Sequence, residues 1–214
     1  MRIGLLGGSF NPVHRAHLLI AEQAQSACRL ERVIFIPAAD PPHKVLAGNI
    51  PFDQRCRMVQ LAISGKAGFE ISTIEGERLG KSYSIDTIRI FRELYPQDDL
   101  FFIIGGDSFL EISSWSRYAD IFCACNLIVV ERPGCLIPDR LAAVPADIRD
   151  EFSYQSATDR LQHRSGTQVC FVRGCPQDVS STEIRNLAAE SSSIEQLVPS
   201  DVAAYILKQR IYHS

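Results

Sequence analysis

Three short runs in this chain have no room for a wet face: VIFIP at 33–37, FFIIG at 101–105 and LIVVE at 127–131. Successive side chains on a strand point to opposite faces, so a half-buried strand alternates polar and apolar residues. These runs do not alternate, which is the pattern of central parallel strands covered by helices on both sides. Strands are expected at Ile3–Leu6, Val33–Pro37, Glu70–Ile74, Leu100–Ile104, Asn126–Val130 and Gln168–Val172. Helical spacing predicts helices at Ala16–Ala27, Phe52–Ser64, Ser84–Leu94, Ile137–Ala146, Thr182–Ala189 and Val202–Gln209, with two shorter helical turns flanking Trp115. Strand and helix in alternation imply βαβ units and an α/β fold, a Rossmann-like doubly wound parallel sheet. The length of 214 residues suits a single domain over 1–214, with a helical C-terminal part from roughly 180 to 214. Residues 135–165 are the least patterned and are expected to be a loop-rich insertion.

Composition narrows the partners. A net charge of −3 with scattered Lys and Arg gives no footprint for nucleic acid or an anionic membrane. No stretch is apolar enough to cross a bilayer, and the N-terminus runs straight into a strand rather than a signal peptide, so a cytoplasmic location is expected. The seven cysteines are odd in number and include no CxxC pair, and Cys123 and Cys125 are poorly spaced for a zinc knuckle. Most are expected to be small buried apolar residues. Whether the chain forms a homo-oligomer is left open.

In a doubly wound sheet, ligands bind beyond the carboxyl ends of the strands. Polar and Gly-rich segments collect there: GGSFNP after the first strand, AADPPHK after the second, GGDSF after the fourth and ERPG after the fifth. Gly7 and Gly8 are expected to turn the backbone and approach a ligand closely, since neither carries a Cβ. Pro12 fits near a first helical turn, and His14 and His17 share one face of the helix start. Free N–H groups and a positive dipole end make such a turn an anion site, to which two imidazoles can add donors. A zinc pair is the other reading of these histidines, but no third ligand follows at a familiar spacing.

Other segments are open to two readings. In DVSSTEIR, at 178–185, Ser180 or Ser181 can cap a helix, with Glu183 near a capping-box position. In AADPPHK, two prolines stiffen the loop that holds His43 and Lys44. Asp107 of GGDSF can bind a ribose hydroxyl or a metal-bound water, or cap the next helix. Arg132 of ERPG stands at the same sheet edge. Tyr83 and Ser84 of KSYSIDT open a helix whose N–H groups suit a carboxylate. Trp115 of SSWSRY falls in a loop, either as a core residue or as a ring for a ligand. The segment 76–82, GERLGKS, is one residue short of a phosphate loop and reads as a solvated turn. No GxGxxG fingerprint is present.

His14 and His17 after GGSFNP resemble the HxGH signature of the nucleotidyltransferase superfamily, with Ala16 where the signature has Gly. The fuller string GGSFNPVH is similar to the opening of the nicotinate mononucleotide adenylyltransferases, and SSTEIR is similar to their ISSTxIR motif. The resemblance runs in order from Ile3 to Arg185 and implies ATP and nicotinate mononucleotide as small-molecule substrates. It implies His14, His17, Lys44 and Arg185 as catalytic donors. It puts ATP against Gly7, Gly8, Ser9, Phe10, His14, His17, Gly105, Asp107, Arg132, Ser180, Ser181, Thr182 and Arg185. His43, Lys44, Tyr83, Ser84 and Trp115 are implied on the acceptor, with the Trp115 ring over nicotinate. Mg²⁺ is expected to arrive on the ATP phosphates, since no carboxylate cage is evident. Three other readings compete: a sister enzyme acting on phosphopantetheine, a non-catalytic nucleotide sensor and a zinc-binding structural protein.

Overall fold

A computed structural model describes residues 1–42, 48, 50–131, 134–173 and 179–212. The strands are β1 (Arg2–Gly8), β2 (Arg32–Pro37), β3 (Phe69–Ile71), β4 (Asp99–Gly105), β5 (Asn126–Val130), β6 (Phe152–Gln155), β7 (Arg160–His163) and β8 (Gln168–Val172). The α-helices are α1 (Arg15–Cys28), α2 (Phe52–Ile63), α3 (Ser84–Leu94), α4 (Gly106–Leu110), α5 (Tyr118–Ala124), α6 (Ser181–Ala189) and α7 (Ser200–Lys208). They build one sheet in the order β3-β2-β1-β4-β5-β8-β7-β6. The first six strands of that order pair in parallel, as the continuous apolar runs predict. The chain winds outward from β1 through β2 to β3, then returns to β4 beside β1 and winds the other way. The carboxyl ends of β1 and β4 therefore flank the switch point, where such sheets open a crevice.

Each central strand divides its side chains between two apolar layers. Leu6, Val33, Phe35, Phe101, Ile103, Ile128 and Val130 join residues of α1, α2, α6 and α7 in one layer. Ile3, Leu5, Ile34, Ile36, Leu100, Phe102, Ile104, Leu127 and Val129 join α3, α4 and α5 in the other. The doubly wound prediction is thus met, and the helices around Trp115 are present as α4, a 3₁₀ turn at Ile112–Ser114, and α5. No described helix is long and apolar enough to cross a membrane. Of the described cysteines, Cys28, Cys56, Cys125 and Cys170 are buried, Cys135 is half-buried and Cys123 is exposed.

Three expectations need correction. The predicted helix at 137–146 is a series of turns. Pro145 has no N–H for a helical bond, and the Arg149 guanidinium takes the Ala142 and Val144 carbonyls instead. The insertion is also not merely loop. β6 and β7 form a hairpin that adds two antiparallel strands beside β8. Four residues each, FSYQ and RLQH are too short for alternation to identify them. The third strand stops at Ile71, with a 3₁₀ turn at Ile74–Glu77 in place of its predicted end.

Candidate functional site

The loop leaving β1 is fixed from within. Gly7 and Gly8 remain in the strand, opposite Ile36 and Pro37, so they do not make the turn that the sequence suggests. The left-handed residue is Phe10, at φ 44. Its ring is buried against the edge of the His17 ring at 5.0 Å and against Phe35, which anchors the unusual backbone. The Phe10 side chain is therefore core, leaving only its backbone for a ligand. The Asn11–Pro12 peptide is cis, and the helix starts three residues beyond Pro12 rather than at it.

His14 is the N-cap of α1 and His17 lies in its first turn. The His14 backbone N–H donates to His17 Nδ1 at 3.2 Å. An accepting Nδ1 puts the proton of the neutral His17 ring on Nε2, making that nitrogen a donor. The two rings lie 3.7 Å apart, tilted by 32°. His14 is buried, and its Nδ1 has no partner with hydrogen-bond geometry. Burial pushes its pKa down to about 4, so the ring is neutral near pH 7.

The far end of the chain closes this loop. Ser180 caps α6, accepting from the Glu183 N–H at 3.1 Å. The Ser181 hydroxyl donates to the Pro12 carbonyl at 3.0 Å, and Arg185 donates to the Asn11 carbonyl at 2.8 Å. A second Arg185 nitrogen reaches Thr182 Oγ1 at 3.0 Å. The Tyr212 hydroxyl donates to Asn11 Oδ1 at 2.7 Å, and burial raises the phenol's pKa. The predicted groups from the two ends of the chain thus meet at the carboxyl end of β1.

The remaining candidates are spread along the same sheet edge. Gly105 ends β4 and precedes α4, with Asp107 exposed in its first turn. His43, Lys44 and Arg132 lie outside the described residues. Glu131, just before Arg132, is buried and paired with Arg140. The loop entering residue 43 is held by Ser82, whose Oγ accepts from the Ala39 and Asp40 N–H groups at 3.1 Å each. At α3, the Tyr83 N–H is already bonded to the Lys81 carbonyl at 3.0 Å, which leaves Ser84 as the first available donor of that helix. Trp115 is half-buried and meets Phe102 edge-on at 6.3 Å. Asp86 of α3 pairs with Arg117, which ties the Trp115 loop to the start of α3.

GERLGKS is a surface turn, as its length implies. Gly76 packs against Phe52, Leu79 is fully exposed and Lys81 pairs with Asp40 at 2.7 Å. Sequence reasoning passed over Tyr212 and Arg55. Arg55 interrupts the apolar stripe of α2 between Phe52 and Val59, and a charge on a buried stripe was the available signal. Nothing local marks Tyr212.

A doubly wound sheet with a histidine-bearing helix start at its switch point is the architecture of a nucleotide-binding α/β protein. The chain belongs to the cytidylyltransferase-like family, whose profile matches residues 5–187, and it is an enzyme of the transferase class. A Pelobacter propionicus protein named "Probable nicotinate-nucleotide adenylyltransferase" is 62% identical over 99% of this chain and 98% of its own. A Geobacter sulfurreducens protein of the same name is 54% identical over the same shares. Among solved structures, the Plasmodium falciparum nicotinic acid mononucleotide adenylyltransferase complexed with NaAD shares the fold, at a TM-score of 0.75 and 19% identity. That match covers 99% of this chain and 97% of the other.

Proposed function

We propose that the protein transfers the adenylyl group of ATP to nicotinate mononucleotide, forming nicotinic acid adenine dinucleotide and pyrophosphate. A phosphate oxygen of the mononucleotide attacks the α-phosphorus of ATP. The bond from that phosphorus to the bridging oxygen breaks, and pyrophosphate leaves with the electron pair. The attacking phosphate is already an anion near pH 7, so no protein base is needed. The work of the site is to align two anions and to stabilise charge on the leaving group.

The observation that carries this reading is the joining of two predicted motifs at one sheet edge, GGSFNPVHRAH and SSTEIR, through Ser181 and Arg185. The names of relatives matched over nearly their whole length support the same reaction. In this reading His17 Nε2 and His14 contact the ATP phosphates beside the backbone of Gly7, Gly8, Ser9 and Phe10. Ser180, Ser181, Thr182 and Arg185 serve the triphosphate from α6, and Gly105, Asp107 and Arg132 serve the nucleotide. His43 and Lys44 meet the acceptor phosphate, while the Ser84 N–H, Tyr83 and Trp115 meet the nicotinate. The described residues contain no group of three or more His, Cys, Asp or Glu side chains placed for a metal. Mg²⁺ carried on the ATP phosphates would supply neutralisation of charge on the departing pyrophosphate.

Pyrophosphate release from ATP and Mg²⁺ with a panel of acceptors tests this. Nicotinate mononucleotide should exceed nicotinamide mononucleotide by about 10-fold or more in kcat/KM, because a carboxylate meets the Ser84 N–H and the positive start of α3 as a charged acceptor and the neutral amide does not. A preference for phosphopantetheine, or no acceptor used, would overturn the assignment.

A further inference from the structure

Arg55 of α2 is 1% exposed, the largest fully buried side chain of the described protein. Its Nη1 donates to the Ser9 carbonyl at 2.8 Å and to the Ala38 carbonyl at 2.7 Å, and its Nη2 reaches the Ala39 carbonyl at 3.5 Å. Ser9 belongs to the loop after β1, and Ala38 and Ala39 begin the loop after β2. A single guanidinium thus joins the two loops, beside the Ala38 N–H bond to the Gly8 carbonyl at 2.8 Å. The Phe52 ring lies 5.5 Å from the guanidinium carbon.

Among the described residues the nearest opposing charge acts only at longer range, from the buried Glu75 carboxylate. Among the described residues no carboxylate stands within ion-pair distance of Arg55, and its Nε is buried without a partner. Desolvation alone would disfavour such a cation, and its pKa is lowered accordingly, though an arginine stays charged. A fixed cation with no ion-paired acid suits a site where further negative charge arrives with a polyanion.

We propose that Arg55 is a positioning residue for the phosphate site: it clamps the loops after β1 and β2, and its buried charge is balanced by the bound polyphosphate. The proposal rests on the assignment of those loops to ATP and the acceptor phosphate. At an effective dielectric of about 20, one charge roughly 10 Å from a phosphate is equivalent to about a tenfold change in Kd. Loosening two reacting groups by about 1 Å costs on the order of 10²-fold in rate.

Two variants separate charge from clamp. Arg55→Gln removes the charge and should weaken ATP binding about tenfold, read by calorimetric titration of ATP with Mg²⁺ in the absence of acceptor. Arg55→Lys keeps the charge but lacks the planar fork. It should hold the ATP Kd within about 3-fold while kcat falls roughly 10- to 100-fold. A folded Arg55→Gln protein with the parent's ATP affinity would overturn the proposal, since a purely structural staple does not alter ligand affinity this way. If Arg55→Gln does not fold, Arg55→Lys decides, and the parent's kcat in that variant would overturn the clamp. Should the parent protein use no acceptor at all, the reaction assignment fails, while the ATP titrations still report on Arg55.

Discussion

Two clusters of buried polar groups in this sheet are treated in opposite ways. Beside β8, Arg140 is 5% exposed and Glu131 1% exposed, and the two form an ion pair. Arg140 also meets Asp159 at 3.0 Å and lies over the Phe171 ring at 4.2 Å. His163, also buried, has Ser165 on Nδ1 at 2.7 Å and Glu151 on Nε2 at 2.9 Å. Every charge there has its partner within the fold. At the carboxyl end of β1, His14 Nδ1 and Arg55 Nε have none. Burying polar groups costs several kcal/mol unless they are paired, so the closed set reads as structure and the open set as a place for a ligand.

The comparison predicts its largest effect at the closed set. Arg140→Met strands the Glu131 carboxylate in the core, and about 3–5 kcal/mol of stability should be lost in urea unfolding. Adding Glu131→Gln keeps an acceptor for the Ile137 N–H, bonded to Glu131 at 2.7 Å, and should restore at least half of that loss. A single variant costing under about 1 kcal/mol would mean the pair is not what holds the extension. Next comes His17→Ala, at the open set. Removing a donor aimed at developing charge should cost on the order of 10²–10³-fold in kcat, with the unfolding midpoint little changed. Near-normal turnover in a well-folded His17→Ala protein would remove His17 from the reaction.

The contrast also explains what the sequence made legible. VIFIP, FFIIG and LIVVE declare two-sided burial residue by residue, so these three parallel strands could be read directly. The loop after β1 was legible as a candidate site because strand, glycines and helix start are contiguous. The conformational strain was misplaced, however: it falls on Phe10, whose packing against His17 and Phe35 depends on other elements. The β6–β7 hairpin was not legible because four residues cannot set a period. Tyr212 and Asn11 are 201 positions apart, and no local pattern records such a bond. Arg55 broke the stripe of α2, but its partners are three carbonyls, which every residue type possesses.

His14 sharpens the comparison through pH. Its folded pKa of about 4 lies below the ordinary 6.5, so between those values the unfolded chain binds more protons than the folded one. Stability must then fall as pH drops from about 6.5 towards 4, by roughly 3 kcal/mol at most from this group. Unfolding of the ligand-free protein at pH 7 and pH 4.5 should show that slope, and His14→Gln should flatten it. ATP phosphates beside His14 would favour its charged form, so ATP binding near pH 5 should take up protons. An unchanged slope in the His14→Gln protein would place the acid sensitivity elsewhere.

The smallest effect belongs to Lys81, and it decides whether a second phosphate loop exists. Its partner Asp40 is 53% exposed and Lys81 itself 49% exposed, so water screens the pair from both sides. Such pairs contribute about 0–1 kcal/mol. Lys81→Ala should therefore shift the unfolding midpoint by no more than about 4 °C. The ATP Kd should stay within about 2-fold, because the turn is one residue short of the length a phosphate loop needs to wrap phosphate with successive N–H groups. The surrounding geometry agrees, since the Ser82 N–H is bonded to the Asp40 carbonyl at 2.9 Å and Tyr83 turns back onto Lys81. Lys81 and Ser82 are thus already partnered by the loop after β2, as the Arg140 cluster is partnered in the core. A tenfold loss of ATP affinity in Lys81→Ala, with an unchanged melting curve, would reverse that reading. It would move part of the phosphate site from the β1 loop to the turn before α3.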